Sequence, residues 1–192
     1  MEAIGRLMTE HQTILRVVDA LALFGDAVRR GGGDREELFR FLTFIRDYAD
    51  ALHHGKEEEI LFVAMVEAGF PREAGPIATM LAEHDVGREH VATLLGLAGT
   101  RVEWSPADRE EVYLSARGYA ELLRAHVRKE DEVLYPMAEQ RLPPALKARV
   151  DERCAAFDAR HTQDGSRERL EQLATELVTR HLGAAVADVE AW

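Results

Sequence analysis

Apolar positions recur with helical spacing along most of the chain, and few stretches alternate as strands do. Glycine and proline segments interrupt this pattern at Gly31–Gly33, Gly69–Pro71, Gly99 and Leu142–Pro144. The pattern predicts four long helices covering about residues 2–30, 34–69, 74–98 and 106–141. Four long helices with short connections are typical of an up-and-down bundle, so we expect an all-α fold.

Local signals mark two of the helix starts. Asp34, with Glu37 three residues later, is similar to a capping box. Ser105-Pro106 and the acidic Asp108 provide a cap, a proline at the first helical position and a negative charge in the first turn. Pro136 lies inside the fourth predicted helix, where we expect it to kink or locally open the helix.

The remaining residues predict two shorter amphipathic helices, the second beginning at Ser166. Their apolar stripes contain Leu146, Val150 and Phe157 in the first helix and Leu170, Leu173, Leu177 and Leu182 in the second. We expect these stripes to pack on the bundle or on a second subunit. The sequence therefore divides into a four-helix bundle, residues 1–141, and a C-terminal extension, residues 142–192.

Two parts of the bundle sequence repeat each other after a shift of 73 residues. The shift places Glu10-His11 on Glu83-His84, and it places the His-x-x-x-Glu motif of residues 53–57 on that of residues 126–130. Two of the chain's three lysines, Lys56 and Lys129, also coincide. Residues four apart share a helix face, so each histidine projects with its glutamate. The shared candidates are His11, His53, Glu57, His84, His126 and Glu130.

Histidine and carboxylate side chains are ligands for metals such as iron, manganese and zinc. A buried carboxylate without a partner is costly, so two glutamates among four core histidines favour a centre occupied by cations. If Glu57 and Glu130 each bridge two metals, each metal receives about four protein bonds and a bridging oxo or hydroxo group supplies a fifth. One position would then be free for a small molecule.

Several residues allow a second interpretation. His54 and Glu58 form another His-x-x-x-Glu pair, but the repeat favours His53 and leaves His54 as a supporting or solvent-facing residue. His90 is expected at the surface or between helices, and Tyr119 in the core. Cys154 shares the apolar face of its helix and is expected to be buried.

Composition excludes several classes of protein. The net charge of −11 argues against general nucleic-acid binding. A single cysteine excludes an internal disulfide framework and a cysteine-based zinc site. No apolar run suggests a membrane span, and the charged N-terminus does not resemble a signal peptide, so we expect a cytoplasmic protein without a membrane or nucleic-acid partner.

The motifs, in this order and spacing, resemble the hemerythrin-like HHE cation-binding family. The resemblance covers about residues 1–141 and rests on Glu10-His11, His53-His54-Gly55-Lys56-Glu57-Glu58, Glu83-His84-Asp85, His126-Val127-Arg128-Lys129-Glu130 and Leu134-Tyr135-Pro136. It implies a four-helix bundle around two iron ions, with the six shared candidates as ligands. Two departures concern the oxygen-carrying members, which have a histidine pair four apart on the third helix and one aspartate among the ligands. Here Arg88 follows His84, and both acids are glutamate.

These expectations lead to two hypotheses of function. In the first, the protein is a non-haem di-iron protein that binds or reacts with oxygen, nitric oxide or peroxide at an open iron position. In the second, it is an iron or oxygen sensor whose metal occupancy controls partner binding, or a homodimer contact, through the C-terminal extension. A bundle that holds zinc or manganese for structural purposes is a third reading. The sequence leaves open whether the protein is an enzyme.

Overall fold

The computed structural model describes residues 1–100 and 102–189, which form six helices and no strand. The helices are α1 (Glu2–Arg29), α2 (residues 35–67), α3 (Gly75–Ala98), α4 (residues 106–141), α5 (Pro144–Gln163) and α6 (Ser166–Val189). The all-α prediction is confirmed, and residues 190–192 of the predicted extension lie outside the described residues. None of the described helices is both long and apolar enough to cross a membrane.

The predicted caps are present at the helix starts. The Asp34 side chain accepts a hydrogen bond of 2.8 Å from the Glu37 amide. Ser105 and Asp108 form a reciprocal capping box in which each side chain accepts from the other residue's amide. After α1 the chain turns through Gly33, whose φ of 68° favours glycine. Local sequence signals therefore placed these boundaries within a few residues.

Helices α2 and α4 contain wide turns in which hydrogen bonds span five residues instead of four. In α2 these π-helical segments are Ile45–His54 and Glu57–Leu61, and in α4 the segment is Glu130–Leu134. The segments beginning at Glu57 and Glu130 are related by the same 73-residue shift as the sequence repeat. Pro136 follows the segment in α4, but the corresponding residue in α2 is valine, so the proline is not the common cause of the widening.

The core consists of two apolar clusters with polar residues between them. One cluster contains Ile14 and Leu123, whereas the other contains Leu7 and Leu134. Along α1, His11 lies between Leu7 of one cluster and Ile14 of the other. Both clusters are almost completely buried, so the histidine sits in a layer shielded from solvent at either end.

Both helices of the C-terminal extension contact the bundle. Val150 and Cys154 of α5 belong to one apolar cluster, and Leu177 of α6 belongs to the other. Cys154 is buried, as predicted. Phe157 packs over Gly55, where an added Cβ atom would lie 3.3 Å from the phenyl ring. The apolar stripes were expected to pack on the bundle or on a second subunit, and these residues pack on the bundle.

Candidate metal centre

Five histidines and two glutamates meet in the polar layer of the bundle. Their possible ligand atoms form two groups, and within each group all of these atoms lie within 4.8 Å of one another. The first subsite consists of His11, His53, Glu57 and Glu130, and the second consists of His54, Glu57, His84 and His126. All seven side chains are buried. The structure thus brings the six predicted candidates together and adds His54.

The two glutamates lie between the halves of the repeat. Oε2 of Glu57 is 3.7 Å from Nε2 of His53 and 3.6 Å from Nε2 of His84. Oε2 of Glu130 is 3.2 Å from Nε2 of His11 and 3.3 Å from Nε2 of His126. Each carboxylate therefore faces one imidazole from each half, which is the placement that a bridging ligand requires.

Each of the five imidazoles has a carboxylate partner on the side away from the centre. The Nδ1 contacts are His11–Asp131 at 2.8 Å, His53–Glu10 at 2.8 Å, His54–Asp50 at 3.3 Å, His84–Glu58 at 2.7 Å and His126–Glu83 at 2.9 Å. A histidine that donates its Nδ1 proton to a carboxylate has the Nε2 lone pair free for a metal. The outer carboxylates therefore leave all five Nε2 atoms free, and four of these lie within 3.7 Å of a central carboxylate oxygen, those of His11, His53, His84 and His126.

The central carboxylates fit a cation because three of their four oxygen atoms accept no hydrogen bond. Oε2 of Glu57 and both oxygens of Glu130 are buried and accept no hydrogen bond. Burial and the charge of Glu130 raise the pKa of Glu57 well above its usual range. Burial alone would also raise the pKa of Glu130, but contacts with His11 and His126 hold it well below its usual range. Unpaired buried carboxylate oxygens are costly, and cations would compensate them.

The histidines differ in how strongly they hold a proton. Burial opposes the charged form of His11, but contacts with Asp131 and Glu130 outweigh it and raise the pKa to about 9. Burial lowers the pKa of His53 to about 4 and that of His54 to about 3. At neutral pH, His53 and His54 are therefore neutral, whereas His11 carries a proton in the absence of metal.

Tyr135 is a further polar group at the first subsite. Its hydroxyl donates to Oε1 of Glu57 at 2.6 Å and lies 3.4 Å from Nε2 of His11. The phenol is buried and stacks on the imidazole of His11. In the sequence, Tyr135 belongs to a family motif that indicates no role at the centre. The repeat carried a signal, because the shift pairs Tyr135 with Phe62, which has no hydroxyl.

His54 corrects one expectation from the repeat. The register treated His53 and His54 as alternatives, but His53 contributes to the first subsite and His54 to the second. His54 is only 6% exposed, so the solvent-facing assignment was wrong. Its ring stacks on His84 with a centroid separation of 3.8 Å.

Arg88 occupies the position where the oxygen carriers have another histidine. Its guanidinium group donates to Asp50 at 2.8 Å and to Glu58 at 2.7 Å. These two carboxylates orient His54 and His84, so Arg88 supports the second subsite from outside. An imidazole is missing from α3 at this position, and His54 places one beside the same subsite from α2.

A cavity of about 120 Å³ adjoins the second subsite. Its lining includes the apolar side chains of Val91, Leu95 and Leu123 and the imidazoles of His54 and His84. Tyr119 is buried and also lines the cavity. The remaining histidines, His90, His161 and His181, do not belong to either group of ligand atoms.

Comparison with known proteins gives one match. The family model described as the hemerythrin HHE cation binding domain matches residues 2–138. The matched segment contains all seven central side chains and ends before α5 begins. Searches of curated proteins and of solved structures gave no significant match.

Proposed function

Because the chain belongs to the hemerythrin HHE cation-binding family, we propose that it holds two iron ions and that a small molecule binds beside them. The observation that carries this proposal is the set of five imidazoles, each with Nδ1 on an outer carboxylate, four of which have Nε2 facing a central glutamate. The partnerless oxygens of Glu57 and Glu130 support it independently. The mixed nitrogen and oxygen donor set accepts iron.

The two subsites offer different numbers of protein ligands. The first has two imidazoles, His11 and His53, whereas the second has three, which are His54, His84 and His126. Both share the carboxylate of Glu57. Glu130 faces His11 of the first subsite and His126 of the second, so as a second bridge it gives the first subsite four protein ligands and the second five. We therefore assign the open position to the first subsite, where oxygen, nitric oxide or peroxide would bind. Bound iron supplies redox change and Lewis acidity at this position.

The chain's own residues prepare this position. Tyr135 holds a proton on its hydroxyl between Glu57 and His11, within reach of a ligand at the first subsite. Its hydrogen bond also fixes one oxygen of Glu57, leaving the other oxygen directed toward His53 and His84. The apolar clusters on either side of the layer exclude bulk water, which strengthens these electrostatic contacts.

Metal analysis with absorption spectroscopy tests this proposal. Freshly purified full-length protein should contain two irons per chain and absorb in the near ultraviolet, and oxygen, nitric oxide or peroxide should change the spectrum. Zinc or manganese with no response to these molecules would contradict the small-molecule role. Failure to hold more than one metal per chain after loading with iron(II) would contradict the two-metal centre.

A sensor role is the second candidate, and one contact favours it. Lys56, next to the ligand Glu57, is bonded to Asp158 of the C-terminal extension. A change at the centre could therefore reach the outer helices. Light scattering tests this role by comparing the oligomeric state of the full-length protein with and without iron. A sensor of this kind changes its assembly with iron, and an unchanged mass in both states would count against it.

A further inference from the structure

A chain of buried polar contacts joins the C-terminal extension to a ligand of the first subsite. Nδ1 of His53 contacts Oε2 of Glu10 at 2.8 Å. The other carboxylate oxygen of Glu10 accepts from the ammonium group of Lys56. The same ammonium donates to Asp158 of α5 at 2.8 Å. Arg167 of α6 contacts both carboxylates, Glu10 at 3.2 Å and Asp158 at 3.3 Å.

Burial makes these contacts energetically important. The side chains of Lys56 and Glu10 are 1% and 0% exposed, and that of Asp158 is 10% exposed. A buried charge is stable only when it is paired and hydrogen-bonded. Asp158 supplies the second carboxylate that the Lys56 ammonium needs at this depth. Part of the polar structure behind His53 is therefore contributed by the extension.

The second half of the repeat shows the same motif without this contribution. Lys129 contacts Glu83, and Glu83 contacts Nδ1 of His126, as in the first half. The side chain of Lys129 is 39% exposed, and Glu83 is its only ion-pair partner among the residues that the structure describes. Solvent takes the place that Asp158 and Arg167 occupy in the first half. In the second half, lysine, glutamate and histidine contact one another without any residue of the extension. The contacts of Asp158 and Arg167 are therefore an addition that is specific to the first subsite.

We propose that Asp158 and Arg167 are positioning residues for His53, so that docking of the C-terminal extension and cation binding at the first subsite strengthen each other. Asp158 balances the charge of Lys56, which leaves Glu10 free to hold His53 with its Nε2 toward the centre. A residue that orients a metal-bound histidine in this way raises metal affinity. Coupling between two binding events is reciprocal, so a bound cation must hold the extension more tightly as well. This inference rests on the proposed metal binding.

Release of iron measures the coupling directly. Full-length protein loaded with iron(II) is mixed, without oxygen, with a coloured iron(II) chelator, and the release of each iron is followed. In Asp158→Asn, iron should leave the first subsite about tenfold faster than in the wild type. Tenfold is the low end of the effects on metal affinity found for residues that orient a ligand. Iron at the second subsite should leave at the wild-type rate. Asp158→Glu, which restores the charge, should recover most of the slow release.

Asp151→Asn provides the matched control. Asp151 also lies on α5 and accepts a hydrogen bond from the Ala3 amide at 2.8 Å, but it does not contact Lys56 or Glu10. Its replacement removes a polar contact of α5 that lies outside the chain leading to His53, while the apolar contacts of Val150 and Cys154 keep α5 docked, so iron release should stay at the wild-type rate. Equal acceleration in both variants would mean general loosening of the fold and would overturn the proposal. Wild-type release in Asp158→Asn would overturn it as well.

Hydrogen exchange, measured first on the wild-type protein, gives a second test of the coupling. Amides of α5 near Asp158 should exchange more slowly with iron than without it, and Asp158→Asn should reduce this difference. Equal exchange in both states of the wild type would contradict the coupling. If the wild type held no iron, the proposed function itself would fail. If it held two irons and Asp158→Asn behaved as wild type, only the coupling would fail.

Discussion

The two halves of the repeat place one motif in two environments. In the first half, Lys56 and Glu10 are almost fully buried under the C-terminal extension. In the second, Lys129 and Glu83 make the same contact with side chains that are 39% and 19% exposed. The Nδ1 contacts to histidine are nearly identical, 2.8 Å in one half and 2.9 Å in the other. The motif thus determines the distances between lysine, glutamate and histidine. The burial provided by the surrounding chain determines how much these contacts contribute to stability.

The subsites also differ in what surrounds the ligands. The first has Tyr135 beside it and the extension behind it. The second has a third imidazole from His54, the outer support of Arg88 and an adjoining cavity. The two halves of the repeat are similar, and the subsites differ because matched positions hold different residues and because the C-terminal extension, as far as the structure describes it, contacts the motif only in the first half. If each subsite holds a metal, as proposed, these differences predict different metal affinities at the two subsites.

The largest expected effect is the loss of both metals on replacing Glu57, the one residue that both groups share. Glu57→Ala should abolish two-metal loading because each subsite loses a carboxylate ligand. Metal analysis after dialysis of the loaded protein measures this. The control is Glu59→Ala, an exposed acid on the same helix, which should retain both metals. Two irons per chain in Glu57→Ala would show that this carboxylate does not bridge.

The next largest effect is a difference in the free energy of unfolding between variants of the two lysines. Lys56→Met removes the ammonium group between the buried carboxylates of Glu10 and Asp158, leaves Arg167 as their remaining shared partner, and should cost about 3 kcal/mol. Lys129→Met removes a partly exposed pair and should cost less than about 1 kcal/mol. Urea denaturation of the metal-free protein gives both free energies of unfolding. Equal losses in the two variants would show that burial by the extension has no energetic effect.

A smaller effect is expected from His54→Val, which installs the residue found at the matching position, Val127. The second subsite should lose an imidazole and bind its metal more weakly, whereas the first subsite should be unaffected. His53→Val should do the reverse. Titration with iron(II) followed by absorption distinguishes the two, with His90→Ala as a control. Loss of the iron spectrum in the His54 variant alone would reverse the assignment of the repeat.

The smallest effect is a pH dependence that differs between the subsites. The pKa of His11 is raised to about 9, so its favourable contacts are complete below its ordinary value near 6.5 and are lost as pH rises through about 9. A metal must displace this proton, so metal binding between these values should release it and should strengthen as pH rises. His54, with a pKa lowered to about 3, should release none. A pH indicator in weak buffer measures the release, which should fall in Asp131→Asn.

Local patterns were sufficient to predict the helices and most of the centre. The caps at Asp34 and Ser105 act over a single turn, so the sequence specifies them directly. The repeat identified six ligand candidates because corresponding residues of similar halves occupy corresponding places. His54 escaped this argument because its match is Val127 and because π-helical turns place neighbouring side chains closer in direction than an α-helix does.

The contribution of the extension could not be predicted in the same way. Asp158 is an ordinary acid on an amphipathic helix, and nothing near it in the sequence indicates a buried lysine 102 residues away. Contacts of this kind depend on how whole helices pack, which local periodicity does not specify. Tyr135 was missed as part of the centre for a similar reason, since its value lies in the distance of its hydroxyl from Glu57.

The glycine beneath Phe157 has a consequence for related chains. Gly55 leaves room for the aromatic ring, whereas the matching residue of the other half is Arg128, which is exposed. A long side chain at position 55 would occupy the space where the Phe157 ring packs and would displace α5 from the bundle. Among relatives, a small residue there should accompany a docked pair of C-terminal helices, and a bulky one should accompany their absence. A single alignment column would then serve as a marker of architecture.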